Sequence, residues 1–410
     1  STIASILPYG TLGQLSQSKY QYGGSSAGDA QGVLVTSLPN VSLTWQRTSE
    51  YNIALDFAVL KSRITGSIEA FKQRTTGIIL NNILPLTTGV SSQNSNLGTS
   101  EDKGLELTLS SINLQNAGGF NWATDFNISF VRERVVELPG GAPSALGSGE
   151  FVGQPLSTIY DVKKLGIWQA SEAAQAAVYG EKPGQIKIQD VNNDGKINNF
   201  DNQFIGNFQP QYTFGLTNRF SYKNFDLNIV IQAKMDFTTI VPYISSSNSA
   251  LTGWQYLNLG RHNQPVLDYW TPANPTNAFP EPNANFQAPY YSTLQYYDGS
   301  FIRAKSINLG YTIPANILKG LGISSLRIYA NVTNPFFIYA PIRRHSFSVP
   351  DAESVYNTSG SNSVAPTNVS ASGNIAGFDP NNASGSPFRG LGINAGTSTR
   401  DYIIGINARF

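Results

Sequence analysis

The chain has 410 residues, a net charge of +1, 13% charged and 11% aromatic residues, 38 Gly and no cysteine. Soluble domains carry about 25% charged residues, so an excess of Tyr, Phe and Gly with few charges suits many strands joined by polar loops. The near-neutral balance argues against a nucleic-acid partner, and without thiols there is neither a disulfide nor a zinc–thiolate site.

No run of 18 apolar residues exists, which excludes a transmembrane helix but not a spanning strand, since that needs only about 9–11 alternating residues. The opening Ser1-Thr2-Ile3-Ala4-Ser5 lacks the basic start and apolar core of a signal peptide. The chain is therefore expected to be mature, processed or a fragment.

Residues 1–40 read as an extracellular loop with a partial strand at 33–35. Period-2 alternation then begins, through Trp45 and again through Ile53, Leu55, Phe57 and Val59. A tight connection at Lys61-Ser62 leads to a strand over 64–80, followed by a polar loop over about 81–101. Leu105, Leu107 and Leu109 alternate with Glu106, Thr108 and Ser110. After a turn at Gly118-Gly119, the next strand runs through Trp122, Phe126, Ile128 and Phe130, with a break in alternation near Thr124 that suggests a bulge.

Residues 137–210 form a long excursion. Its Ala-rich piece at 171–178 predicts a short helix capped by Ser171. Within it lies Asp190-Val191-Asn192-Asn193-Asp194-Gly195-Lys196-Ile197-Asn198-Asn199-Phe200-Asp201. Oxygen-bearing side chains fall at positions one, three, five, nine and twelve, and Gly195 falls at six. A hard cation such as Ca²⁺ wants six to eight oxygens at this kind of spacing. The expected ligands are Asp190, Asn192, Asp194, the carbonyl of Lys196, Asn198 and Asp201. Asp201 stands where an EF-hand has Glu, so affinity is expected to be modest. The flanks are not paired helices, which makes this a structural Ca²⁺ loop inside a β-protein and not a calcium sensor. The plain alternative is an Asn/Asp/Gly turn without metal.

From Tyr212 the alternation is cleanest, with Tyr212, Phe214, Leu216, Phe220 and Tyr222 on one face. Lys223-Asn224 turns the chain into Phe225, Leu227, Ile229 and Ile231. Excursions over about 239–299 and 340–398 flank strands at 301–313 and 326–338. The last strand closes on Tyr402, Ile404, Ile406, Ala408 and Phe410. Short turns near 61, 117, 223 and 319 alternate with long loops near 90, 170, 270 and 370. Outer-membrane barrels show this asymmetry: short periplasmic turns and longer extracellular loops. The fold class is therefore all-β, an antiparallel transmembrane barrel portion of about nine strands in the lipid bilayer. An odd set with loops this long reads as the C-terminal part of a larger barrel.

Several stretches resemble the SusC/RagA-type TonB-dependent outer-membrane transporters. Asn52-Ile53-Ala54-Leu55-Asp56-Phe57 is similar to that family's NIGLDF strand, and Lys103-Gly104-Leu105-Glu106-Leu107 to its NKGIEL. The 190–201 loop, running on to Ile205-Gly206 and Pro210, is similar to its DxNxDGxIxxxD motif. Tyr269-Trp270-Thr271-Pro272-Ala273-Asn274-Pro275 resembles its YWTPENP. Ser300-Phe301-Ile302-Arg303-Ala304-Lys305 resembles its SFLRLK. The resemblance runs in order from about residue 41 to 410. Val349-Pro350-Asp351-Ala352-Glu353 departs from the family's Asp-Pro-Glu.

The resemblance implies a plugged barrel of about 22 strands, of which this chain supplies roughly the last nine. It also implies import of an oligosaccharide or peptide across the bacterial outer membrane. The implied partners are a SusD-like lipoprotein, the N-terminal strands and plug, and the TonB complex.

Loop aromatics hold what substrate information there is. Trp168, Trp254, Tyr256, Trp270, Tyr296 and Tyr297, with Tyr269, Tyr290 and Tyr291 beside them, can stack on sugar faces while their polar tips bond hydroxyls. Loop packing, lipoprotein contact and an interfacial girdle are the alternatives. An alternative to transport is a calcium-stapled surface binding module or adhesin. A hydrolase would need a positioned carboxylate pair or a nucleophile with a base; Asp351 with Glu353 or Asp268 with Asp298 could be nominated, but strand or loop carboxylates are usually solvated, so the chain is read as not an enzyme.

Overall fold

The computed structural model describes residues 12–20, 30–90, 92–138, 141–145, 149–240, 267–281, 290–319, 322–345 and 400–410. Nine strands form one antiparallel sheet in sequence order: β3 (Arg47–Val59), β4 (Ile64–Ile83), β5 (Ser92–Ala117), β6 (Phe120–Glu137), β13 (Tyr212–Tyr222), β14 (Phe225–Met235), β17 (Phe301–Thr312), β18 (Ser325–Tyr339) and β19 (Asp401–Arg409). Each pairs with its neighbour in the chain order of the wall, an up-and-down meander. The remaining elements are short. They are the hairpin β1 (Gln14–Tyr20) and β2 (Ala30–Ser37), then β7 (Ser144–Ala145), β8 (Glu150–Phe151), β9 (Thr158–Asp161), β10 (Lys164–Ile167), α1 (Ala173–Val178), β11 (Ile186–Ile188), β12 (Gln203–Asn207), β15 (Thr238–Ile240), β16 (Tyr296–Asp298) and α2 (Ala315–Leu318).

Register decides which face meets lipid. On β6 and β13, Phe120, Trp122, Phe126, Ile128 and Phe130 stand opposite Tyr222, Phe220, Leu216, Phe214 and Tyr212. Directly paired residues share a face, so these ten side chains make one apolar band. Aromatics close it at both ends. Phe120 and Trp122 stack on Phe220 at 6.2 and 5.8 Å, Phe225 meets Tyr311 at 4.6 Å, and at the other end Phe130 meets Tyr212 at 5.6 Å. Ten residue steps at about 3.3 Å cover about 33 Å of strand, which a tilt of about 40° reduces to the ~25 Å apolar height of an outer-membrane barrel. Elsewhere on this face Ile53, Leu55, Ile404 and Ile406 are 79, 63, 82 and 66% exposed. A water-facing sheet does not carry so continuous an apolar surface.

The break at Thr124 is not a bulge in β6, whose register with β13 is continuous. The irregularity lies across the ladder, between Ile112 and Leu114 of β5. There Asn113 donates to the Thr124 hydroxyl at 2.7 Å, and Thr124 donates to Asn218 at 2.7 Å, so a polar residue on the lipid face has both its bonds made. The loop expected over 81–101 shrinks to 84–91, because β4 and β5 run on past the lipid band. Pairing supplies the backbone bonds, which lets Asn81, Asn82, Asn94 and Asn96 continue a strand without apolar alternation. Part of the stretch expected to be a loop at 1–40 forms the β1–β2 pair, in continuous register from Leu15↔Val35 to Tyr20↔Ala30 with a shift at Gln14. Gly104 lies beneath the Phe71 ring, where a Cβ would collide with it.

The buried apolar cores of the described residues lie outside the lipid band. The larger joins Val162, Ile167, Ile186, Ile188, Trp270, Phe279, Leu294, Phe301, Ala340 and Ile342 from three excursions on the long-loop side. A smaller one packs Ile159 on Phe208.

Candidate functional site

The excursion 138–211 supplies β9–β12 and α1, and the segments 267–281 and 290–300 pack over them. β10 pairs with β11, and β9 with β12. α1 begins two residues later than the predicted 171–178 helix. Ser171 falls inside a preceding 3₁₀ turn that Gln169 caps in a reciprocal box with Glu172, and α1 itself starts from Glu172 without a side-chain cap. The Gln169 N–H and then Lys187 hold the Glu172 carboxyl below its usual range.

The 190–201 loop follows β11. Asn193 and Gly195 adopt left-handed φ values of 58° and 79°, a conformation Gly reaches without steric cost. Asp190 accepts the N–H groups of Asn193 at 2.7 Å and Gly195 at 3.0 Å, and the Tyr179 hydroxyl at 3.3 Å. Burial pushes the Asp190 carboxyl up, but these bonds outweigh it and the carboxyl lies below its usual range. Asn192 accepts from the Asp194 N–H at 3.1 Å, and Asp194 from the Lys196 N–H at 2.8 Å. Asp201 is fully buried and accepts from the N–H groups of Val191 and Asn198, at 2.9 and 2.8 Å. Asn198 in turn caps the Phe200 N–H at 2.9 Å. Ile197 packs against the large core.

These are Asx turns that close the loop through its own backbone. Among the described residues no three or more carboxylates or imidazoles converge to hold a metal ion, Asp190, Asp194 and Asp201 included. The donor types match a hard cation, but their side chains are turned onto amides.

The loop aromatics separate. Trp168 is 5% and Trp270 is 4% exposed, so neither offers a free face for a sugar. Trp168 stacks on Tyr179 at 5.9 Å with Lys187 at 4.5 Å from its ring. The Trp270 indole donates to Gln169 at 3.0 Å, and its ring covers Gly184, where a Cβ would sit 2.8 Å from it. Both are core residues, because apolar area this large is removed from water wherever a partner surface exists. Tyr296 donates to Asp161 at 2.9 Å and packs on the small core. Burial, then the Asp161 charge, push its hydroxyl upward. Tyr297 meets His345 edge-on at 4.8 Å. Tyr269 is 41% exposed, and Tyr290 takes a left-handed φ of 60° before a 3₁₀ turn. Trp254 and Tyr256 lie outside the described residues, as do Asp351 and Glu353.

The other carboxylates nominated for catalysis have structural partners. Asp268 accepts from Asn274 at 3.0 Å and Thr276 at 2.5 Å, closing the Tyr269–Pro275 turn, and these bonds hold its carboxyl below the usual range. Asp298 accepts the Ser300 N–H at 2.9 Å. Sequence reasoning missed Lys164, which is half-buried beside the large core with its ammonium donating to the Ala278 carbonyl over the Phe279 ring. Burial lowers its pKa to about 8. Its signal was Lys163-Lys164 at the mouth of an apolar strand, indistinguishable from a solvated pair.

No family model matches the chain. Curated proteins do. TonB-dependent receptor P3 of Formosa agariphila is 29% identical over 350 residues, covering 80% of this chain and 33% of the relative. TonB-dependent receptor SusC of Bacteroides thetaiotaomicron is 26% identical over 315 residues, covering 73% and 29%. The RagAB peptide importer in its open-open state superposes with a TM-score of 0.65 at 18% identity, over 97% of this chain and 38% of that one. The chain is similar to TonB-dependent receptors, SusC among them, over most of its length. The chain spans about a third of the length of the curated relatives it matches. Its nine-stranded wall is part of a transmembrane β-barrel, its place is the outer membrane, and its relatives are receptors and not enzymes.

Proposed function

We propose that the chain forms the C-terminal third of a transporter that imports glycans or peptides. In this reading a SusD-like lipoprotein closes over the long-loop face, and the N-terminal strands and plug complete the barrel and engage the TonB complex. The observation that carries it is the pairing of an apolar, girdled wall with a packed cap that lies, among the described residues, on the long-loop side, in a chain similar to SusC and to the RagAB peptide importer. The test is deletion of the full-length gene, followed by growth on defined oligosaccharides or peptides as sole nutrient. Loss of growth on one class is expected, together with co-purification of a lipoprotein with the tagged receptor. Unchanged growth on every source would overturn the reading.

For the 190–201 loop we propose a structural Ca²⁺, supported by its spacing and donor types. Carboxylate oxygens retain lone pairs beyond the N–H bonds they accept, and binding would draw Asp190, Asn192, Asp194, the Lys196 carbonyl, Asn198 and Asp201 together. Extracellular Ca²⁺ sites of dissociation constant on the order of 10⁻⁴–10⁻³ M suffice. Chelation, Asp190→Ala and Asp194→Ala are each expected to speed proteolysis of 138–211 without affecting barrel insertion. Identical cleavage with and without chelator, and no metal by elemental analysis, would leave a plain polar turn.

A further inference from the structure

We propose that the outward face of β4–β6 just above the apolar band binds a phosphate-bearing lipid headgroup of the outer leaflet. The inference rests on register. The top row of the band is Ala70, Leu105 and Phe130. The next row on the same face is Lys72, Lys103 and Arg132, and the row above is Arg74, Glu101 and Arg134. Two and four residues beyond the upper aromatic girdle is headgroup height. All five cations are exposed.

Glu101 is only 4% exposed, and it bridges Lys72 at 2.8 Å, Lys103 at 3.1 Å and Arg134 at 2.7 Å. Five cations against one carboxylate leave four positive charges. The carboxylate holds three of the side chains in place, so less rotamer freedom is lost when an anion docks. Arginine forks match phosphate oxygens in pairs.

A general solvated fringe would not be one-sided. On these strands the alternate, inward positions of the same height are Gln73, Asp102 and Glu133. Cations face the lipid and acids face the lumen. The neighbouring strands end their bands in Tyr212 and Met235 instead. The arrangement is a local patch of four charges, continuous with the lipid-facing wall.

The full-length receptor, purified from outer membranes in detergent, would be titrated with diphosphorylated lipid A, with dephosphorylated lipid A, and with inorganic phosphate as competitor. A basic side chain at an anionic lipid surface is worth about fivefold in affinity. Arg132→Gln with Arg134→Gln is therefore expected to bind about 25-fold more weakly, as does wild type with the dephosphorylated lipid. Arg132→Lys with Arg134→Lys should retain most of the affinity, and inward-facing Asp102→Asn should leave it unchanged. Should the glutamine pair fail to assemble, Lys72→Gln with Lys103→Gln is expected to show the same loss. Equal affinity of wild type and the assembled variant, or of the two lipids, overturns the proposal. Displacement by millimolar inorganic phosphate also overturns it, by assigning the patch to a free anion. None of these outcomes depends on which nutrient the receptor imports.

Discussion

Lys164 shows how a single residue can oppose the fold around it. Its ammonium sits among apolar groups with one carbonyl to bond, and its pKa falls to about 8 from 10.5. The folded cap therefore releases this proton before the unfolded chain does. Below pH 8 both states are charged and the cap bears the full cost of burial. Between pH 8 and 10.5 the cost is relieved, so cap stability rises with pH in that window. Lys164→Met should stabilise the cap at pH 7 by about 1–3 kcal/mol and flatten the rise, as read by hydrogen exchange of the 138–211 amides. His345, whose pKa is lowered by burial and then by Lys164, is expected to move back up in the same variant. Asp201 makes the opposite contribution. It is buried with two N–H donors on its carboxylate, and Asp201→Ala should cost about 2–4 kcal/mol locally by orphaning both. Faster proteolysis of 190–201 is the readout. The sequence exposed the oxygen spacing of this loop but not the partners of those oxygens, because backbone N–H groups compete for the same lone pairs a cation would use. For Trp168 and Trp270 the sequence leaves stacking and loop packing open for a related reason: an aromatic in a long loop reads as available until another loop is seen to cover it.

At the scale of the strand, period-2 alternation carried nearly all the information. The apolar positions of β6, β13 and β14 fall on one face in register, as their spacing predicts. Two things escaped. The last three residues of β4 and the upper half of β5 lack apolar alternation because they stand above the lipid, so only pairing identifies them as strand. The irregularity near Thr124 belongs to β5, since a bulge is a property of a ladder and not of one chain. The faces can be tested by charge. Leu216→Arg or Ile229→Arg places a cation on the lipid side and is expected to cost about 2–4 kcal/mol and reduce outer-membrane insertion of the full-length receptor. Thr217→Arg points inward beside Asp125 and should insert nearly as well as wild type. Equal insertion defects from both faces would reverse the assignment.

For the whole chain, nine strands leave the free edges of β3 and β19 unpaired within this sheet. Unpaired backbone in hydrocarbon costs several kcal/mol per group, so the chain expressed alone in detergent should aggregate, and a monodisperse monomer would contradict this. The placement of the cores carries a kinetic consequence. The wall is built from hairpins joined to their nearest neighbours. The cap instead gathers residues as far apart in the chain as Val162 and Ile342 into one core. Contacts distant along the chain form late, because the intervening loops must be closed before any packing repays them. Docking of the cap should therefore be the slow step of maturation, and a stalled chain would show a protease-resistant wall carrying loops that are still cut.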